Sequence, residues 1–328
     1  MAWNLAEFSK IEKDTLRGTV IDGFLVESNI AQLIPWETIN ALTTGVIRLG
    51  SLPSVGFRNI NGSFSESTGT VFQEQETIAL SGLDIDTDKA IARAKNTVAD
   101  ARALQQQLAL KAYAYAFNDK FLNGNPGAGG TSSKEFRGII KRIDDLYNQG
   151  FTDQRIASYD DDVGILYDAA HRQAFLDDLD KLLYAIKGHQ ADLLLMNHRA
   201  LLAVRSLLRR DGLLATNKDM FGRNIDMYGS ARLVDVGVKA DQQTEIITNT
   251  ETTVGASGGT ECTSIYAVKF GIGDMLWGIQ EYPMEVSDLG ELQTAPIYRT
   301  RIEWNIGLAN VDPRCMARLY GVVPDASS

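Results

Sequence analysis

Hydrophobic positions change their period several times along this chain, and each change marks a different kind of element. Over residues 1–46, short apolar clusters (LAEFSKI, GTVIDGFLV, AQLIPWETI) alternate with polar spacers. None is long enough to predict a core helix, so the segment reads as an arm that packs on something else. Residues 47–82 are rich in Gly, Ser and Thr and shift to a period of two. Val55, Phe57 and Asn59 alternate, NINGSFSESTGT supplies turn chemistry, and Phe72, Glu74, Glu76, Ile78 and Leu80 share one face of a returning strand. This predicts a long β-ribbon whose arms, at about 15 residues each, reach about 50 Å. A two-stranded ribbon has no core of its own and is marginal in water. It needs a surface to lie on, and that surface can belong to another copy.

Asp84 and Asp86 offer N-cap carboxylates before the longest helical signal, Thr87 to Leu122, which contains neither Gly nor Pro. Ile91, Ala94, Val98, Ala101, Leu104 and Leu108 mark an apolar stripe that Tyr115 continues. About 36 helical residues make a rod of about 54 Å, stopped by Gly124 and Pro126. The following FRGIIKRIDDLYNQG is short and mixed. Residues 159–188 end in an amphipathic helix with Phe175, Leu179, Leu182, Leu183 and Ile186 inward. ADLLLMN reads as a buried central strand, and HRALLAVRSLLRR as a second amphipathic helix with Leu201, Val204, Leu207 and Leu208 inward. Helix, strand and helix in quick succession predict a small α/β domain. IDMYGSARLVDVG, SIYAVKFG, MLWGIQEYPMEVSDLG and YRTRIEWNIGLANVDPRCMARLYGV are strand-like. The polar stretch Lys239–Thr263 between them predicts an exposed loop or hairpin.

Candidate chemistry changes this picture little. Gly124 to Thr131 fits the phosphate-loop spacing except that Gly130 stands where the lysine belongs. A phosphate loop follows a strand and opens a helix; this one follows a helix C-terminus, whose partial charge is negative. It reads as a helix stop and mobile connector. His171, His189 and His198 lie in three segments without metal-ligand spacing, and Asp160–Asp162 lacks a calcium-loop pattern. Asp177–Asp180 is expected on the polar face of its helix. Cys262 and Cys315 are isolated thiols, neither a zinc set nor a disulfide framework. No cofactor, metal or catalytic set is therefore expected, and no enzyme. The first 20 residues scatter both signs of charge, and no segment approaches the roughly 18 apolar residues of a membrane span. A soluble chain made inside the cell is the expectation. A formal charge of −10 argues against tight binding to nucleic-acid backbones. It leaves room for a wall that encloses nucleic acid without gripping it.

An arm, a ribbon, a long helix and a compact α/β domain are an odd plan for a monomer. Their order, and several strings, resemble the major capsid proteins of tailed bacteriophages, the Hong Kong 97-type fold. LIPWETINALTTGVIRLGSLPSVGFRNINGSFSESTGTVFQEQETIALSGLDIDTDKAI is similar to that family's N-arm, E-loop and start of the spine helix. FNDKFLNGN followed by FRGI resembles the spine-helix exit, and ADLLLMNHRALLAVRSLLR the A-domain strand and helix. MFGRNIDMYGSARLV and IYAVKFGIGDMLWGIQ resemble the later segments, in which a glycine turn precedes a strand.

The resemblance implies an α+β fold divided into an N-arm (1–46), an E-loop (47–82) and a spine helix with the first part of the P-domain (83–145). An A-domain (146–275), P-domain strands (276–309) and a C-terminal return to the A-domain (310–328) would follow. It implies subunits that self-assemble into hexamers and pentamers of an icosahedral shell around double-stranded DNA. Their partners would be scaffolding, portal and cement or decoration proteins, with no membrane involved. The shell would be a virion capsid assembled in the host bacterial cytoplasm. Phe64 and Phe72, aromatics on the ribbon with no local core to fill, are the expected assembly contacts. Some family members lock the shell by an isopeptide bond from an E-loop lysine; this chain has no lysine between Ile47 and Asp88, so a non-covalent shell is expected. No scaffolding segment of about a hundred residues precedes the arm, which suggests a separate scaffolding protein. The alternatives are an encapsulin-type nanocompartment with the same fold and, resting on the glycine loop alone, a nucleotide-binding enzyme.

Overall fold

In the computed structural model of the chain, residues 28, 30–93, 101–127, 134–159, 164–218, 224–251 and 261–324 are described. The larger sheet has seven strands in the order β5 (Arg155–Ala157), β14 (Met316–Val322), β10 (Thr263–Val268), β6 (Leu193–Met196), β9 (Ala231–Asp235), β8 (Asn224–Tyr228) and β7 (Ala215–Lys218). As the apolar run in ADLLLMN predicts, β6 is central. It pairs antiparallel with β10 and parallel with β9, and all four residues are buried.

Alternation along these strands divides the core in two. Leu194 and Met196, with Ile265, Ala267, Ala317 and Leu319, face helices α4 (Ala169–Ala185) and α5 (His198–Arg210). Leu193 and Leu195, with Tyr266, Val268 and Met316, face the opposite cluster. A strand buried on both faces has to be apolar throughout. Both amphipathic helices sit as their periodicity predicts: Phe175, Leu179, Leu182 and Ile186, and Val204, Leu207 and Leu208, are buried, with Leu183 and Leu201 half-buried.

The second sheet is built on the long strand β13 (Ile297–Asn310). It pairs with β11 (Leu276–Gln280), β12 (Glu285–Glu291) and β4 (Ala79–Asp88), and β1 (Trp36–Thr38) adds in parallel to β11. Helix α2 (Ala101–Asn123) packs over it through Phe117 and Phe121. Trp36 and Trp304 lie 4.7 Å apart between ring centroids, their planes tilted by 51°, and Phe117 lies 5.7 Å from Trp304. A Cβ on Gly278 would lie 2.4 Å from the Trp36 ring, so only glycine fits beneath it.

Several expectations are corrected. Part of the arm belongs to this chain's own core: Ile30, Ala31, Ile34 and Trp36 are buried, because β1 completes the edge of β11. Asp84 and Asp86 cap no helix. They lie on β4, whose ten-residue ladder with β13 prevails over local helix propensity, and they face Arg301 and Arg299. Asp88 caps instead, accepting from the Ala90 N–H at 2.7 Å at the start of the short helix α1 (Lys89–Arg93).

The predicted stripe is displaced as well. Ile91, Leu104 and Leu108 are exposed and Tyr115 is half-buried, while Ala109, Ala114, Phe117 and Phe121 form the buried face. Ala94 and Val98 lie outside the described residues. The stretch Lys239–Thr263 is not wholly exposed either: Ile246 and Ile247 are buried in the core shared by both sheets. Asp178 is also buried, accepting from the Tyr159 N–H at 2.6 Å and from Lys181 at 2.8 Å, so Asp177–Asp180 is not a uniformly solvated face.

Candidate functional site

The ribbon is shorter than the sequence predicts. β2 (Thr43–Ser51) and β3 (Thr70–Thr77) pair antiparallel, with Arg48 opposite Phe72 and Val46 opposite Glu74. Residues 52–69, including Val55, Phe57 and Asn59, form no ladder. The two arms still lie side by side there, but the Ser54 N–H donates to the Ser67 hydroxyl (2.8 Å) instead of to a backbone carbonyl, so no ladder forms.

The two ends of the ribbon differ sharply. At the tip, Phe57 is 100% exposed, Ile60 93%, Val55 84% and Leu52 79%. Phe64 is 66% exposed, with the Arg58 guanidinium 5.1 Å above its ring. At the root, one face of the ribbon meets the body. Val46 and Ile78 pack on Trp277, Ile279 and Ala309. Glu74 and Glu76 fall on the face predicted for them. Leu80 does not: it is exposed, because the ladder breaks at Ile78, between β3 and β4.

Glu76 enters a buried polar hub that centres on Arg142 of α3 (Ile139–Asn148). Arg142 Nη1 donates to Glu76 Oε1 (2.6 Å) and Asn310 Oδ1 (2.5 Å). Its Nη2 donates to Glu76 Oε2 (2.9 Å) and the Leu308 carbonyl (2.8 Å), and its Nε to the Arg137 carbonyl (3.0 Å). All five guanidinium protons are thereby used. Arg48 adds a bond to Asn310 Oδ1 (2.8 Å) and pairs with Glu74, which Arg137 also contacts. Burial pulls the Arg48 guanidinium below its ordinary value, against the opposing pull of Glu74 and Glu76; an arginine stays charged throughout the working range.

Of the two expected assembly contacts, Phe64 lies on the tip and Phe72 near the root, and nothing brings them together. Phe72 lies one step beyond Glu74 on the same face, 63% exposed. With Leu146, Gln149, Phe151 and Pro313 it lines an open groove of about 570 Å³. Sequence reasoning missed Arg142. Its signal was present, because Ile139, Ile143 and Leu146 share a helix face and Arg142 interrupts it.

The other candidates stay apart. His171 pairs with Asp168 at the start of α4, His189 Nδ1 lies 3.2 Å from the Tyr184 carbonyl, and His198 Nδ1 lies 3.3 Å from Asp235. Among the described residues no three His, Cys, Asp or Glu side chains group to hold a metal, and no helix is long and apolar enough to cross a membrane. Asp160–Asp162 lies outside the described residues. Cys262 and Cys315 are buried and in no disulfide, with burial pushing the Cys315 thiol up to about 12. The glycine loop does follow a helix end. The Gly124 N–H bonds the Lys120 carbonyl at 2.9 Å, and a Cβ on Gly124 would lie 2.4 Å from the Phe136 carbonyl.

No family model and no curated protein sequence matches the chain. Its structure does match. The holo-SrpI encapsulin complex from Synechococcus elongatus PCC 7942 aligns over 100% of this chain and 99% of its own, with a TM-score of 0.60 at 14% identity. The capsid of a native GTA particle aligns over 92% of this chain and 90% of its own (TM-score 0.57, 13% identity). Mycobacterium phage Bobi aligns over 92% and 91% (0.56, 13%). The chain has the Hong Kong 97-type capsid fold. In this Hong Kong 97-type fold, the ribbon tip holds the most exposed large apolar side chains among the described residues.

Proposed function

We propose that this chain is a shell subunit, the major capsid protein of a tailed bacteriophage, which self-assembles into hexamers and pentamers of an icosahedral shell around double-stranded DNA. The observation that carries the reading is the ribbon tip: Leu52, Val55, Phe57 and Ile60 are 79–100% exposed, and an apolar patch of this kind marks a protein-protein contact. The tip and the groove beside Phe72 are different surfaces, so a contact between them in two copies is head-to-tail and generates a ring when the rotation closes. The ribbon is then the E-loop, the five-stranded sheet with α2 the P-domain, and the seven-stranded sheet the A-domain. The role is structural rather than catalytic. A net charge of −10 suits a wall along which packed DNA slides. Scaffolding, portal and cement proteins are the remaining partners, and the host bacterial cytoplasm is the place of assembly.

A nanocompartment shell is the second reading, favoured by the end-to-end alignment with the encapsulin complex. Electron microscopy of particles made by co-expression with the neighbouring genes, followed by nuclease treatment and analysis of their contents, tests both. Shells holding nuclease-protected DNA support the capsid, and shells holding a protein cargo support the compartment. A chain that stays monomeric in every condition contradicts both.

A further inference from the structure

The ribbon meets the body through two kinds of contact, and they differ in what they can fix. Val46, Ile78, Trp277, Ile279 and Ala309 make an ordinary apolar contact. Beside it, Glu76 is clamped by both terminal nitrogens of Arg142, which also hold Asn310 and the Leu308 carbonyl. Glu76 is 3% exposed and Arg142 2%. A buried ion pair stabilises no better than apolar side chains of similar volume, and apolar packing is already used in the same interface. The hub also leaves Asn310 Nδ2 buried with no hydrogen-bond partner, a penalty an apolar residue would not carry. Stability alone does not account for it.

What a forked guanidinium adds is direction. Its donors meet a carboxylate in one plane and at one angle, whereas apolar surfaces slide. We propose that the Glu76–Arg142–Asn310 hub is a conformational latch that sets the angle at which the ribbon leaves the body. The roughly 15 residues from Glu76 to Asn61 span up to about 50 Å, so a rotation of about 10° at the root moves the tip by about 9 Å. A latch at the root therefore decides where the apolar tip is presented. The three residues act as positioning residues. The proposal rests on the fold of the single chain and stands apart from the shell reading.

The test is electron-electron distance measurement between spin labels on Ser63→Cys, at the tip, and Gln107→Cys, on α2, with the labelled chain diluted into an excess of unlabelled chain. Both sites are exposed and both native cysteines are buried. The intact hub gives one narrow distance distribution. E76L/R142M, which replaces the pair by apolar side chains, keeps the melting temperature at or above that of the parent while the distribution broadens roughly twofold or more. An equally narrow distribution in that folded variant overturns the latch. Should E76L/R142M fail to fold, R142K decides, because it keeps the charge and loses the fork. Broadening in R142K supports the latch, and unchanged width overturns it.

Discussion

The seven-stranded sheet and the ribbon are both built from short alternating strands, yet they dispose of their apolar positions in opposite ways. In the sheet every residue of β6 is buried, odd and even positions alike, because helices cover one face and the second sheet's core covers the other. In the ribbon, buried positions stop at the root, and beyond Phe72 the apolar side chains stand in water. The first region is finished within one chain. The second leaves its apolar side chains exposed, so the same substitution has different consequences in the two places.

That contrast can be broken or sharpened by mutation. The largest effect on folding is expected at the hub: Arg142→Ala removes both hydrogen bonds to the buried Glu76 carboxylate, leaving it only Arg48 at 3.9 Å, and destabilises by about 3–5 kcal/mol. Urea unfolding measures it, and a loss below about 1 kcal/mol would show that Arg48 or water takes over the Glu76 carboxylate. Leu195→Ala, at the centre of the large sheet, costs about 2–5 kcal/mol by the same measurement.

Phe57→Ser changes the stability of the unassembled chain by about 0.5 kcal/mol or less, since its ring touches nothing to lose. A larger loss would mean that the tip packs on its own chain.

The smallest effect concerns the ladder between β4 and β13. Arg301 hydrogen-bonded to Asp84, and Arg299 to Asp86, hold these carboxyls below their ordinary value of 3.8. A lowered carboxyl contributes stability that is present above the unfolded-state value and is lost as pH falls through the folded-state value. The parent and D84N/D86N should therefore differ slightly at neutral pH and converge in acid below 3.8. Urea midpoints against pH check this, and a difference that persists undiminished in acid would contradict it.

How much of this the sequence carried follows the same division. Elements that bury themselves locally were legible: the run in ADLLLMN gave the central strand, and the stripes of α4 and α5 gave their inward faces. Elements whose state depends on distant partners were not. Asp84 and Asp86 look like helix caps until β13, more than two hundred residues away, pairs with them. Leu104 and Leu108 form a true helical stripe that faces outward in the single chain. Arg142 was passed over because a charge inside an apolar stripe has meaning only once Glu76 is placed beside it. The ribbon's existence was readable from period and turns, and its extent was not, because beyond Ser51 and Thr70 side-chain hydroxyls take the place of ladder carbonyls.

The most direct test of the account is electron microscopy of the purified chain, alone and co-expressed with its neighbouring genes, beside a variant in which Leu52, Val55, Phe57 and Ile60 are serine. The account predicts closed shells, or free hexamers and pentamers, from the parent, and folded single chains from the variant. A parent that is uniformly monomeric in every condition, or a variant that assembles as well as the parent, would contradict it.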